Sequence, residues 1–286
     1  MVDHRSAFLL SRRASLRAAA LALASGSLPR FANAEPVAYP AKPIKLVIPY
    51  PPGGGTDSTG RAMAQKLSEL LGQSVVIENR PGATGMIGAA SVAKSAPDGY
   101  TVLFGAASEM AINASLFKNM AYDPRTDFEP VSLLATFPLI FVAPAATSRS
   151  LEELVAAAKI KPDSISYGSI GSGSPQHLAA ELFKKMAGIN LLHVPYRGGA
   201  PAIQDMIAGN CDMMFGNMPE FLGQIAGGGL IPVAFGSPRP SPLFPNLPLI
   251  SKFLPGFEVV NWFGVFGSKG LPADLTDFWN KALRAA

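Results

Sequence analysis

Strand-like apolar runs alternate with helical stretches along almost the whole chain, and this order restricts the fold more than any other feature. The runs KLVIPY, SVVIEN and YTVLFG form a first block, and ISYGS, LLHVPY, CDMMFG and LIPVAFG form a second. Between the blocks lies one long apolar segment, VSLLATFPLIFVAPA, which Pro138 interrupts. Alternation of this kind is typical of βαβ units, in which helices cover both faces of a parallel sheet. The sequence therefore predicts two α/β domains.

The first 34 residues have the pattern of an export signal. A basic segment at residues 11–17 precedes a short apolar stretch at residues 18–28, and Ala32-Asn33-Ala34 has the form of a cleavage site. The apolar stretch is too short to span a bilayer. Paired arginines suggest the twin-arginine route, and an ordinary secretory signal is the alternative. We therefore expect a signal peptide at residues 1–34 and a mature protein in the periplasm.

The charge of the chain gives no reason to expect a nucleic-acid partner. Residues 1–34 hold five of the 24 lysines and arginines and one of the 20 aspartates and glutamates, which leaves 19 of each in the remainder. The formal net charge of +4 therefore belongs to the predicted signal peptide. A neutral mature chain has no overall attraction for nucleic acid or for an anionic membrane.

A glycine-rich turn at residues 53–57 follows the first strand and precedes a helix. It is not a Walker A loop, because Arg61 stands at the lysine position, and it is not a dinucleotide fingerprint, because Ser58 stands at the third glycine. Consecutive glycines still let backbone N–H groups approach a ligand, and the positive end of a helix dipole favours a carboxylate. We expect Thr56 or Asp57 to cap this helix and Asp57 to pair with Arg61.

A second turn, at residues 167–175, also joins a strand to a helix. Its glycines and hydroxyls form another cluster of hydrogen-bond donors at a helix N-terminus, with Ser174 suited to the N-cap and Pro175 to the first helical position. His177 lies in the first turn of that helix, where it is either a ligand contact or an ordinary capping or surface histidine. We interpret His193, in the next strand, as structural.

The chain also contains a short internal echo. Ile48-Pro49-Tyr50 followed by Gly53-Gly54 is similar to Val194-Pro195-Tyr196 followed by Gly198-Gly199. The echo indicates either related halves or the chance recurrence of Pro-Gly turns. In both cases the turns follow strands, and ligands of open α/β sheets bind beyond the carboxyl ends of the strands.

Patterns of known catalytic and metal sites are absent. The chain has no G-x-S-x-G, H-E-x-x-H or C-x-x-C motif, and after residue 34 it has two histidines and the single Cys211. We therefore predict no enzyme activity, no metal and no cofactor. The alternative is an exported hydrolase or transferase in which Ser174 or Ser169 is the nucleophile and His177, three residues after Ser174 on the same helix face, is its base.

Several motifs occur in order along the chain. They are PYPPGGGTD at 49–57, ENRPGA at 78–83 with Gly85 and Gly88, PDGYT at 97–101, YGSIGSGS at 167–174 with His177, and HVPYRG at 193–198. Together they closely resemble the Bug, or TctC-like, family of periplasmic solute receptors associated with tripartite tricarboxylate transporters. The resemblance covers residues 40–286. It implies a type II periplasmic-binding fold, with two βαβ lobes, a cleft between them, and crossovers near residues 136–141 and 258–262.

The resemblance also implies the domains and the binding site. Lobe 1 would contain residues 35–137 and 260–286, and lobe 2 residues 138–259. The lobes would close on a small carboxylate through backbone amides, hydroxyls and ordered waters. The implied ligand-binding residues are Tyr50, Gly54, Thr56 and Asp57 in the first lobe, Ser169, Gly173, Ser174 and His177 in the second, and in addition Ala83, Thr84 and Ser108. Such a protein is expected to be a monomer that delivers its ligand to transporter subunits or to a sensor.

The sequence departs from the family pattern in two places. Gly60 stands where the family usually has a better helix former, which lowers the expected helix stability by about 1 kcal/mol. The family also continues beyond the last helix with a segment that completes the first lobe, so we expect an incompletely covered edge at residues 271–286. Whether binding survives that difference is open at the level of sequence.

Overall fold

The apolar runs form the strands of two connected half-sheets in a computed structural model, which describes residues 39–147 and 149–286. Residues Pro40–Ala286 make up one compact unit. The predicted signal peptide lies outside the described residues.

The first half-sheet is mixed, with the strand order β2-β1-β3-β9-β4. Strand β1 runs parallel to β2 and β3, whereas β9 runs antiparallel to β3 and β4. Parallel neighbours are expected here because a helix follows each of β1 and β2. The strands are β1 (Ile44–Ile48), β2 (Val75–Asn79), β3 (Thr101–Ala106), β4 (Phe128–Pro144) and β9 (Val260–Ser268).

The second half-sheet repeats this plan. Strand β5 is parallel to β6 and β7, and the C-terminal part of β4 is antiparallel to β7 and β8. The additional strands are β5 (Ser166–Ser169), β6 (Leu192–Pro195), β7 (Met213–Asn217) and β8 (Leu230–Phe235).

Strand β4 belongs to both half-sheets. Its 17 residues run through Pro138 without a break, although the sequence suggested an interruption there. Pro138 is the last residue that pairs with β9, and Leu139 is the first that pairs with β7. A proline is tolerated at this position because the strand changes partners there and needs no amide donor from it.

Helices cover both faces of the half-sheets, as the alternation predicted. A π-helical turn, Ser108–Ile112, leads into α3. The α-helices are α1 (Gly55–Leu71), α2 (Met86–Ala93), α3 (Asn113–Leu116), α4 (Leu151–Ile160), α5 (Pro175–Ala187), α6 (Gly199–Ile207), α7 (Met218–Ala226), α8 (Ile250–Phe253) and α9 (Ala273–Ala285).

Each half-sheet has apolar cores of its own. Phe104 and Trp279 are fully buried in the first half-sheet, where Trp279 brings α9 onto the strands. Tyr167, Phe183 and Phe215 are fully buried in the second. Burial of such large side chains contributes roughly 1.5–3 kcal/mol each, so each half-sheet holds its turns on a rigid base.

Two local predictions need correction. Helix α1 begins at Gly55 with Gly54 as its N-cap, so neither Thr56 nor Asp57 is the cap. The structure also contains α4, which the sequence analysis omitted, although Ser150 and Glu153 form a capping box at its start. The S-x-x-E spacing was a usable sequence signal for that helix.

The unusual Gly60 has a packing reason. A methyl group at this position would lie 2.5 Å from Cδ1 of the buried Ile48, because α1 lies close to β1 there. The lower helix propensity of glycine thus accompanies a close helix–strand approach.

The last helix, α9, lies beside an open groove. Trp279 and Leu283 are the buried residues of α9. A groove of about 810 Å³ runs between this helix, β4 and β9. Within the described residues, no helix combines the length and the hydropathy needed to cross a membrane.

Candidate ligand-binding site

Four turns at the carboxyl ends of strands meet between the two half-sheets. They follow β1, β2, β5 and β6, and two of them are the echo pair of the sequence. Gly54 lies so close to the opposite turn that a methyl group on it would be 3.9 Å from the backbone nitrogen of Gly199. The Thr84 hydroxyl donates across the gap to the Ser172 carbonyl at 3.2 Å. The strand ends therefore face one another, as the general rule for α/β sheets predicts.

A main cavity of about 520 Å³ lies between these turns, which is the size of a small-molecule site. Both half-sheets contribute to its wall. Its lining residues are Pro49, Tyr50, Pro51, Pro81, Gly82, Ala83, Thr84, Gly85, Ile170, Gly171, Tyr196 and Arg197.

A narrow cavity of about 30 Å³ adjoins the main cavity and shares Tyr50, Pro51 and Ile170 with it. Its size suits about one water molecule. The first turns of α1 and α6 form much of its wall, together with Gln176 and Glu220.

The turn after β2 has an unusual backbone. Four successive residues, Gly82, Ala83, Thr84 and Gly85, have positive φ angles of 130°, 48°, 51° and 88°. Such conformations cost about 1–3 kcal/mol for a residue other than glycine and concentrate at functional sites. Among the described residues, no acceptor takes a hydrogen bond from the amides of Ala83 or Thr84. The turn thus offers two amide donors to the main cavity at the start of α2, a typical anion-binding arrangement.

Arg197 supplies positive charge on the opposite wall. The side chain is exposed, and within the described part of the chain it makes no ion pair with a carboxylate. A guanidinium group suits a carboxylate because its N–H groups match the two oxygens. Arg197 belongs to the HVPYRG motif and was not among the predicted site residues, although its position after β6 was a usable sequence signal.

Tyr50 lines the cavity with its ring and turns its hydroxyl away from it. The hydroxyl donates to Oε2 of Glu109 at 2.8 Å, and the Ala106 amide donates to Oε1 at 2.5 Å. Burial raises the pKa of Glu109 to about 7, while these two hydrogen bonds act in the opposite direction. Ser108 is fully buried beside Glu109 and lines neither cavity. This buried cluster fixes the floor of the site.

Asp57 lies behind the cavities and holds the first glycine turn together. Its carboxylate accepts hydrogen bonds from the Gly53 amide at 3.0 Å, from Arg61 Nε at 2.8 Å and from Asn79 Nδ2 at 2.8 Å. Burial opposes the charge, but the donors lower the pKa of Asp57 below its usual value. The predicted Asp57–Arg61 pair is present. Of the other predicted residues in this turn, Gly54 and Thr56 line the narrow cavity.

The predicted residues of the second turn lie behind its surface. Ser174 is fully buried and accepts the His177 amide hydrogen as the N-cap of α5, as predicted. The Gly173 amide donates to His177 Nδ1 at 3.2 Å. Neither these three residues nor Ser169 lines a cavity, whereas Ile170, Gly171 and Gln176 do.

The Ser174–His177 pair of the hydrolase alternative is not formed. The Ser174 hydroxyl bonds to the backbone of His177, and the Gly173 amide occupies His177 Nδ1. Among the described residues, a hydroxyl–imidazole contact instead joins Ser169 Oγ and His193 Nε2, 2.7 Å apart. Ser169 is fully buried, so a substrate has no access to it. Among the described residues no cluster of three potential metal ligands occurs.

Comparisons with known proteins identify the family of the chain. The profile of the tripartite tricarboxylate transporter family receptor (TctC) matches residues 59–286. The chain is 37% identical over 280 residues to the UPF0065 protein in the tcbD-tcbE intergenic region of Pseudomonas sp. (strain P51), covering 97% of this chain and 82% of that protein. It is also 37% identical over 251 residues to Protein BugT of Bordetella pertussis, covering 87% of this chain and 77% of that protein.

Solved structures give the same result for the fold. R. palustris Rpa4515 with adipate superimposes with a TM-score of 0.84 at 35% identity, covering 86% of this chain and 83% of that one. The periplasmic binding protein BugD superimposes with a TM-score of 0.81 at 35% identity, with the same coverage of the two chains. MatC from Rhodopseudomonas palustris with bound malate superimposes with a TM-score of 0.81 at 29% identity, covering 86% of this chain and 85% of that one. The predicted two-lobe periplasmic-binding fold is thereby confirmed.

Proposed function

Because this chain belongs to the tripartite tricarboxylate transporter receptor family, we propose that it captures a small carboxylate between two lobes outside the cytoplasm. The family is the one that the ordered motifs predicted, and it consists of solute-binding receptors and not of enzymes. In the proposal, residues 35–137 with 260–286 form one lobe and residues 138–259 the other.

The main cavity carries this proposal. Ala83 and Thr84, whose amides make no hydrogen bond within the described residues, lie on one wall, and Arg197, which makes no ion pair with those residues, lies on the other. A carboxylate placed between them would accept charge-assisted hydrogen bonds from both walls. It would be bound better by the closed protein than by the open one, so it would shift the equilibrium towards closure. No group has to donate a proton or attack a substrate.

The ligands of two related structures support a carboxylate. Rpa4515 contains adipate and MatC contains malate. Together with the amide turn and Arg197, they make a carboxylate the ligand class that we propose for this chain.

We place the receptor in the periplasm on the basis of the predicted signal peptide and of the periplasmic relatives. The proposed partners are the membrane subunits of a tripartite transporter or a membrane sensor. The protein would work as a monomer, without a cofactor or nucleic acid.

A thermal-shift and calorimetric titration of the purified protein tests the proposal. The panel contains benzoate, nicotinate, succinate, malate, adipate and citrate, with glucose and AMP as controls. A carboxylate at 100 times its Kd adds about 2.7 kcal/mol to the free energy of unfolding, whereas the controls add nothing. A properly folded protein that binds none of the acids would refute the proposal.

Arg197→Gln gives a second test. We expect this variant to bind the best acid at least about tenfold more weakly, because a charge-assisted hydrogen bond contributes about 1.5–3 kcal/mol. Lys185→Gln removes an exposed charge from α5 and is the matched control, for which we expect unchanged affinity.

A further inference from the structure

Glu220 places a negative charge at the end of the site opposite to the unpaired amides. It lies in the first turn of α7 and lines the narrow cavity. Its Oε1 accepts the Asn217 amide hydrogen at 2.5 Å, and its Oε2 packs against Gly55 of the opposite half-sheet, where a methyl group on Gly55 would lie 3.4 Å from it. The N-terminus of α1, which the sequence assigned to a ligand carboxylate, therefore already holds a carboxylate of the protein.

The position of Glu220 is fixed from behind. Asn217, the N-cap of α7, is buried, and its side-chain oxygen accepts a hydrogen bond from Asn261 Nδ2 at 3.0 Å. Asn261 belongs to β9, so α7 is connected to a strand of the first half-sheet. A carboxylate that accepts the Asn217 amide hydrogen and lies on a helix anchored in this way cannot easily turn away from the cavity.

Glu220 forms no ion pair with any of the described residues. In the described part of the chain, no lysine, arginine or histidine lies within 4.0 Å of its carboxylate. Burial raises the pKa of Glu220 to about 7, while the nearby backbone amides of Asn217 and Gly55 favour its ionised form. At pH 8 the group is therefore mainly ionised.

Glu220 lines the narrow cavity and not the main one. The volume of the narrow cavity, about 30 Å³, corresponds to one water molecule. Since Tyr50, Pro51 and Ile170 line both cavities, the far end of a ligand in the main cavity faces Glu220 directly or through that water. The site thus has a positive end, formed by Arg197 and the Ala83–Thr84 amides, and a negative end, formed by Glu220.

We propose that Glu220 determines specificity, and that this receptor selects monocarboxylates with an uncharged or cationic hydrogen-bond donor at the far end over dicarboxylates of equal length. The inference rests on the proposed function. A second carboxylate would face a like charge in a partly desolvated site, which is strongly unfavourable. An amide, hydroxyl or ammonium group would instead donate to a carboxylate that has unused acceptor positions.

Matched pairs of ligands test this inference with the full-length protein at pH 8. The pairs are succinate with succinamate, glutarate with glutaramate, and adipate with adipamate, which differ by one carboxylate replaced by an amide of the same shape. Calorimetry measures Kd for each. We expect the monoamide to bind at least about tenfold more tightly than the diacid in the pair of optimal length.

Variants at position 220 show whether Glu220 causes the preference for the monoamide over the diacid. In Glu220→Gln and Glu220→Ala we expect the preference for the monoamide to fall to about twofold or less, mainly because the diacid binds better. Glu152→Gln, which removes an exposed carboxylate from α4, is the matched control and should retain the full preference. Circular dichroism and melting curves establish that each variant is folded, and the alanine variant covers a failure of the glutamine variant.

Three outcomes would overturn the inference. Equal or tighter binding of the diacid by the wild type contradicts the selection itself. A preference that persists in both Glu220 variants contradicts the role of this residue. If no member of either ligand class binds, the proposed function fails and the inference fails with it, whereas binding without preference refutes the inference alone.

Discussion

Replacing Tyr50 by phenylalanine separates stability from ligand binding in a single residue. Tyr50 is 8% exposed, its ring lines the main cavity, and its hydroxyl donates to Glu109 at 2.8 Å. The variant keeps the ring and removes only the hydroxyl. One oxygen of a buried carboxylate then loses its donor, which costs about 1–3 kcal/mol. For a protein of this length, a loss of about 2 kcal/mol lowers Tm by roughly 4–8 °C.

The size of the loss depends on pH. Burial raises the pKa of Glu109 to about 7, and the Tyr50 hydrogen bond favours the ionised form. The variant therefore raises the pKa of Glu109 further. Since the lost bond matters most when Glu109 is ionised, the difference in the free energy of unfolding between wild type and variant is larger at pH 8 than at pH 6.

Urea denaturation at both pH values measures this difference, and calorimetry measures the affinity for the best acid. We expect Kd to change by less than about twofold, because the hydroxyl points away from the cavity. Tyr196→Phe is the matched control: Tyr196 also lines the cavity, but its hydroxyl donates to the more accessible Asp205 at 2.6 Å. Tyr196→Phe should lower the free energy of unfolding by less than about 1 kcal/mol. A tenfold weaker Kd with unchanged stability in Tyr50→Phe would refute the reasoning and place the hydroxyl on the ligand.

Three further predictions concern the turns and the pH range. Gly88→Ala should lower the free energy of unfolding, measured by urea denaturation, by roughly 1–3 kcal/mol, because the new methyl group would lie 2.7 Å from Pro49 Cβ. In the control Gly223→Ala the methyl group would face open space, so this variant should not be destabilised. Ser174→Ala removes the N-cap of α5 and should cost about 1 kcal/mol, with the difference measured by the same denaturation. Burial and the neighbouring imidazole lower the pKa of His193 to about 4, so the unfolded chain binds a proton between pH 6.5 and 4 that the folded chain does not. As the pH falls from 6.5 to 4, the free energy of unfolding should therefore decrease by about 1–2 kcal/mol, after allowance for solvent screening. Melting curves of His193→Gln, recorded over the same pH range, should lack this part of the pH dependence.

Much of the site was predictable where the controlling interactions are local. The N-cap of α5 depends on Ser174 and a backbone amide three residues later, and the Asp57–Arg61 pair depends on one helical turn. Local patterns of this kind are visible in a sequence because their partners are close along the chain. The N-cap of α1 was missed because Gly54 offers no side-chain signal as an N-cap.

The role of each side chain was not predictable in the same way. Tyr50 and Glu109 are 59 positions apart, and Ser169 and His193 are 24 apart. Their pairing depends on strand order and on the helices that lie beneath the turns. The sequence therefore indicated hydroxyls for the ligand in Ser108, Ser169 and Ser174, which the folded chain buries completely.

The order of strands and helices, the glycine turns at the strand ends and the family are properties that the amino-acid sequence determines alone, because they follow from the 2.0 and 3.6 residue periods and from short motifs. Only the tertiary structure decided which groups face the cavity. It brought Arg197 opposite the Ala83–Thr84 turn and Glu220 against Gly55. The physical reason is that β4 passes from one half-sheet to the other, so the two walls of the site come from segments more than 100 residues apart whose distance no local interaction fixes.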